Sequence, residues 1–184
     1  LSLCVPVTAW ICAYGLFKRF TSLCHLWLRA SPTPSVSAAA VAANTDGIAH
    51  RSALWLLSVM VLCREPGLDV IYALPVVDTD IAEGLHSMPS KLGVRRAMWC
   101  SRVLHLAAVA LLFGAWSMDA RFGGAFLAAA CVAAGLLLIE HLTVHRWGTT
   151  KIALTFFTLN GIVSCVIGAA GIWELLNSSA APPS

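Results

Sequence analysis

The chain has 184 residues, 59% of them hydrophobic and only 11% charged, with a mean hydropathy of +0.80. Soluble domains of this size carry about 25% charged residues, so the composition excludes an ordinary soluble globule and describes an integral membrane protein. A net charge of +3 with no run of Lys or Arg gives no ground for a nucleic-acid partner and fits a membrane protein with basic loops on one side.

Six apolar segments approach the roughly 20 residues that cross a bilayer as a helix. They are residues 1–17, 22–43 (Ala-rich, interrupted by Pro32 and Pro34), 52–75 (weakened at "CREPG", 63–67), 97–117, 122–142 and 152–175. The tail, residues 178–184 within "NSSAAPPS", is expected to be disordered. Only helices and closed barrels satisfy their backbone in lipid, and these runs do not alternate as barrel strands do. The predicted fold class is therefore all-α, a polytopic transmembrane helix bundle. The seven cysteines are scattered without a CxxC and act as small hydrophobes. The chain opens on Leu1 inside an apolar run with no basic residues before it, which is neither an ordinary start nor a signal peptide and predicts residues upstream.

Six segments fix which loops share a side. Loops 18–21, 76–96 and 143–151 hold Lys18, Arg19, Lys91, Arg95, Arg96, Arg146 and Lys151, whereas the opposite loops hold Arg51 and Arg121. Seven against two is a positive-inside bias that places the 76–96 loop in the cytoplasm.

Three features gather on that side. "YGLFKRF" (14–20) sets Tyr14 and Lys18 four apart, on one helix face, with Arg19 beside them. They are placed either to contact one bound anion or to anchor the helix at the interface with snorkelling basic side chains. "GLDVIYALPVVDTDIAEGLHSMPSKLG" (67–93) then gathers Asp69, Asp78, Asp80 and Glu83, four of the chain's nine acidic residues. Asp69 and Asp80 are about three helical turns apart and share a face if the helix continues past Pro75. Asp80 and Glu83 are i,i+3 neighbours, whereas Asp78 diverges from Asp80. Clustered carboxylates repel one another unless a cation lies between them, and Mg²⁺ suits carboxylate and phosphate oxygens. Ordinary loop acids with a capping Asp are the other reading. "EHLTVHRW" (140–147) spaces His141 and His145 at i,i+4, but Glu140 precedes both, so the HExxH order of zinc proteases is not met. These read as interfacial histidines at a helix end.

"YGLFKRFTSLCHLWL", "LDVIYAL", "DTDIAEGLHSMPSKLG", "EH" (140–141) and "FFTLNG" (156–161) run in order and together resemble the UbiA superfamily of intramembrane aromatic prenyltransferases. The likeness is nearest to bacterial 4-hydroxybenzoate polyprenyltransferase-like proteins, including those of the futalosine route to menaquinone. The resemblance implies a bundle of about nine membrane helices, of which this chain holds about the last six, in a bacterial inner membrane with the active side facing the cytoplasm. It implies Mg²⁺-dependent transfer of a prenyl chain from a polyprenyl diphosphate to an aromatic acid, 4-hydroxybenzoate or a dihydroxynaphthoate, in quinone biosynthesis. Tyr14 and Lys18 match the family's YxxxK pair, which contacts the diphosphate, and Arg19 adjoins them. Asp80 matches the second Asp of DxxxD, with Asp78 and Glu83 as further candidate metal carboxylates. Asp69 matches the Asp of an "FDIIYA"-like stretch. Val76 stands where the first Asp of DxxxD is expected, and the NDxxDxxxD motif does not occur in these residues. The expected helices that carry it lie outside this sequence or on a partner chain. The alternatives are a non-catalytic or decayed paralogue, one half of a split enzyme, and a small transporter using Asp69.

Overall fold

The structure is a computed structural model that describes residues 20–21, 52–152 and 158–180. Among the described residues every element is helical: α1 (Ser52–Tyr72), a 3₁₀ turn (Leu74–Val76), α2 (Val77–Ala82), α3 (Met88–Leu92), α4 (Val94–Met118), α5 (Gly124–Trp147), a second 3₁₀ turn (Gly148–Lys151) and α6 (Asn160–Ala180). The apolar segments at 1–17 and 22–43 lie outside the described residues.

The four long helices run antiparallel in sequence order. The α1–α4 pairing is read from Ser101 Oγ, which donates to the Gly67 carbonyl at 2.7 Å, and from Leu56, which faces Gly114 at the far end. His105 against His141 pairs α4 with α5, and Gly171 against Phe126 pairs α5 with α6. The chain turns thus collect the end of α1, α2, α3, the start of α4, the end of α5 and the second 3₁₀ turn at one end of the bundle, called the loop end below.

The packing follows from small residues at regular spacing. On α5 the buried positions Phe126, Ala130, Ala133, Leu137, Glu140 and Val144 alternate four and three apart as a seam does, with Ala129 buried beside them. On α4 they are Ala97, Ser101, His105, Ala108, Leu112 and Ala115. Water is absent from the hydrocarbon, so close backbone approach at small residues supplies the packing. Met60, Ala108, Leu112, Phe126, Ala130, Ala133 and Val163 form one core cluster through the middle of all four helices. The outward faces carry Trp55, Val103, Leu106, Leu138, Leu142 and Leu176, all exposed as lipid-facing side chains are.

α4, α5 and residues Asn160–Asn177 of α6 are long and apolar enough to span a membrane. α1 lies over the predicted segment at 52–75 but is not, because Arg64, Glu65 and Asp69 interrupt it; instead it buries much of its second half inside the bundle. Other sequence expectations shift at the ends. Residues 143–147 complete α5 rather than forming a loop, since nothing before Gly148 (φ +58°) breaks the helix. The 76–96 segment is folded: Ser87 caps α3 by accepting from the Ser90 N–H at 3.3 Å, and Gly84 and Gly93 supply the positive φ on either side. α6 continues to Ala180, three residues into the tail expected to be disordered.

Candidate functional site

The acidic residues lie at the loop end but are not arranged as the sequence predicts. α1 stops at Tyr72, and Pro75 lies in a 3₁₀ turn, so no continuous helix joins Asp69 to Asp80 and the three-turn phase argument fails. Both carboxylates are nonetheless buried, Asp69 at 7% exposure and Asp80 at 2%. Asp78, two residues from Asp80 on α2, is exposed, as the divergence on a helix predicts. Glu83, the residue that ends α2, is exposed as well, so its i,i+3 spacing does not bring it into the environment of Asp80. The Leu85 N–H returns to the Asp80 carbonyl at 2.7 Å and closes the turn after α2. Val76, where the resemblance expects an Asp, is 44% exposed at the same end.

For magnesium the fit is partial. Among the described residues no three His, Cys, Asp or Glu side chains come together as a metal-holding group. Asp80 alone of the predicted trio is enclosed, and Asp78 and Glu83 do not join it. Tyr14, Lys18 and Arg19 lie outside the described residues.

A second polar assembly, not predicted as a unit, crosses the bundle about two helical turns from the end of α1. Arg64 on α1 is 7% exposed; it donates to Glu65 at 2.6 Å, to the Asn160 carbonyl at 3.2 Å and to Asn160 Oδ1. The Arg64 carbonyl lies 3.2 Å from His105 Nε2, and His105 Nδ1 lies 3.1 Å from His141 Nε2. A carbonyl only accepts, so His105 carries its proton on Nε2; with both rings neutral its Nδ1 accepts from His141 Nε2. Glu140 is 2% exposed, within electrostatic reach of Arg64 and Glu65, and its Oε1 has no hydrogen-bond partner among the described residues. The layer thus draws one or more polar groups from each of α1, α4, α5 and α6. Its sequence signal was a charged residue inside an apolar segment, Arg64 in "CREPG" and Glu140 in "LLLIEHL", where an ionisable group is costly without partners.

These features define a polytopic helical membrane protein with buried carboxylates at one end and a polar layer through its middle. Compared with known proteins, the chain matches the model of the UbiA prenyltransferase family over residues 1–172, and no curated protein or solved structure matches it. The chain belongs to the UbiA prenyltransferase family. Membership places it among membrane transferases that move a prenyl chain from a polyprenyl diphosphate to an aromatic acceptor.

Proposed function

We propose that this chain transfers a polyprenyl group from a polyprenyl diphosphate to an aromatic acid, 4-hydroxybenzoate or a dihydroxynaphthoate, in bacterial quinone biosynthesis, with the loop end in the cytoplasm. The observation that carries the reading is Asp80, a carboxylate enclosed at 2% exposure on the short helix where the family's second Asp-rich motif falls. In the transfer the allylic C–O bond breaks, the diphosphate leaves with the electron pair, a ring carbon bonds to the allylic carbon, and the ring loses the displaced proton. Mg²⁺, on which enzymes of this family generally depend, neutralises diphosphate charge when bound. Asp80 is its candidate ligand here, Tyr14, Lys18 and Arg19 are the candidate diphosphate contacts, and Asp69 is a further carboxylate of the same end.

The test is prenyl transfer to each acid in membranes containing the full chain, with Mg²⁺ and after chelation. Asp80→Asn is expected to lower the rate about 10²–10³-fold, the range for removing one stabilising group from a transition state. Asp78→Asn and Glu83→Gln, on exposed side chains, are expected to change it only a few-fold. Equal activity of Asp80→Asn and the wild type excludes the assignment. A second reading, a non-catalytic protein on the same scaffold, is favoured by Val76 in place of the motif's first carboxylate; prenyl transfer by neither the wild type nor Val76→Asp supports it.

A further inference from the structure

A groove of about 640 Å³ opens on the outer side of the α4–α5 pair. Its character changes with depth. At the loop end it is bounded by Arg102 and His145, one turn further in by His105 and His141, and beyond them by Val109, Ala134, Leu137 and Leu138. Polar groups therefore sit at one mouth and an apolar channel continues toward the middle of the membrane.

Two arginines mark the depth of that mouth. The Arg102 guanidinium lies 5.3 Å from the Trp99 ring centre and the Arg146 guanidinium 5.8 Å from that of Trp147. Both tryptophans are exposed, at 58% and 51%. Exposed Trp stacked with Arg is the composition of the membrane–water boundary, the level at which lipid phosphates lie. Among the described residues neither Arg102 nor Arg146 forms an ion pair, in contrast to Arg64 and Arg121. A second depression, of about 710 Å³, adjoins the first; the two share Leu142 and His145, and the second adds Ile139, Thr143, Arg146 and Trp147. Leu142, 55% exposed, borders both depressions, and the second is built by the last turns of α5 alone.

A phosphate head at the basic mouth and an acyl chain along the apolar walls fit this composition. We propose that the loop-end mouth of the α4–α5 groove binds an anionic diacyl phospholipid, its phosphate held by Arg102 and His145 with Arg146 in the adjoining depression, and its acyl portion lying along the apolar walls of the groove. The guanidinium groups donate to phosphate oxygens, and the apolar walls below them remove the first methylenes of each chain from competing bulk lipid. The site lies outside the carboxylates at the loop end, so it acts as a structural lipid site and does not depend on the reaction proposed above.

The experiment uses the full chain purified in detergent and stripped of lipid, titrated with phosphatidylglycerol or phosphatidylcholine, with bound lipid counted by native mass spectrometry. One phosphatidylglycerol is expected to bind more tightly than phosphatidylcholine by an order of magnitude or so. Arg102→Gln and Arg146→Gln are each expected to weaken it about fivefold, the effect of one basic group at an anionic lipid surface. Arg95→Gln, a charge removed at the same end but outside the groove, is expected to leave it unchanged. Ala134→Phe, which fills the apolar channel without altering charge, is expected to reduce occupancy; circular dichroism confirms that each variant is folded. Equal binding of the two lipids, or a loss with Arg95→Gln as large as with Arg102→Gln, overturns the proposal. Displacement of phosphatidylglycerol by farnesyl diphosphate, one for one and dependent on Arg102, also overturns it and marks the groove as a prenyl diphosphate site.

Discussion

Gly67 shows how closely single residues set this packing. A Cβ built there would fall 2.5 Å from His105 Cδ2, 2.7 Å from its Nε2 and 3.3 Å from the Leu104 Cβ. The imidazole lies against the α1 backbone because Gly67 has no side chain, and that contact lets His105 reach the Arg64 carbonyl one turn earlier. Gly67→Ala is therefore expected to destabilise the protein by about 1–3 kcal/mol, the cost of overpacking a filled interior, measured by thermal unfolding in detergent. Adding His105→Ala opens the space, so the double variant is expected to lose less than the sum of the two single losses. Strict additivity would show that the two residues do not compete for the same volume. Val76 carries a prediction of a different kind. It stands four residues before Asp80, and Val76→Asp supplies the carboxylate that the resemblance to the family motif leads one to expect there. On the prenyltransferase reading the variant is expected to raise the transfer rate and to bind Mg²⁺ more tightly, read as a lower half-maximal Mg²⁺ concentration. A variant that is folded but needs more Mg²⁺ than the wild type argues that residue 76 does not face the metal.

At the scale of elements, the start of α5 depends on α6. The first N–H groups of a helix have no partner within it. Here the Glu174 carboxylate, near the end of α6, accepts from the Ala125 N–H at 2.8 Å and the Phe126 N–H at 3.3 Å. Its negative charge also lies at the positive end of the α5 dipole. Glu174→Ala is expected to cost about 1 kcal/mol, as loss of a helix cap does, and Glu174→Gln less, because an amide oxygen still accepts. Hydrogen exchange provides the check: amides at 125–127 speed up while those around Ala108 and Ala133 do not. Exchange rising equally throughout both helices contradicts a local cap. This element also shows what the sequence could reveal. α4 and α5 are legible as apolar runs of spanning length, and the divergence of Asp78 from Asp80 follows from helical geometry alone. The end of α5 was misplaced because apolar content falls at His145 and Arg146, where the helix enters the interface, while the backbone stays helical to Trp147. The polar layer was not legible as a unit. Arg64, His105, Glu140 and Asn160 stand one on each of four helices, and only the antiparallel pairing brings them together. His141 was visible beside His145, yet its partner is His105, 36 positions away.

For the whole molecule, the distribution of charge along the bundle sets its direction in the membrane. The loop end carries Lys91, Arg95, Arg96 and Arg146, with Lys151 in the 3₁₀ turn beyond α5. Among the described residues the opposite end carries Arg121, and that charge is neutralised by Asp119 at 2.6 Å. Moving several cations across a bilayer during insertion is far more costly than moving one paired cation, so the loop end is expected to stay in the cytoplasm. Single cysteines introduced at Lys91 and Arg121, in a chain whose seven native cysteines are replaced, test this with a membrane-impermeant maleimide. In intact right-side-out cells or vesicles Arg121→Cys is expected to label and Lys91→Cys to be protected; inverted vesicles should reverse the pattern. Replacing Arg95, Arg96 and Arg146 together by Gln is expected to yield a mixed population in which both sites label partially. Labelling of Lys91→Cys from outside would place Asp80 on the outer face, away from a cytoplasmic supply of polyprenyl diphosphate. The assignment of Asp80 to diphosphate chemistry would then fail even with the fold intact, because the substrate and the carboxylate would be separated by the bilayer.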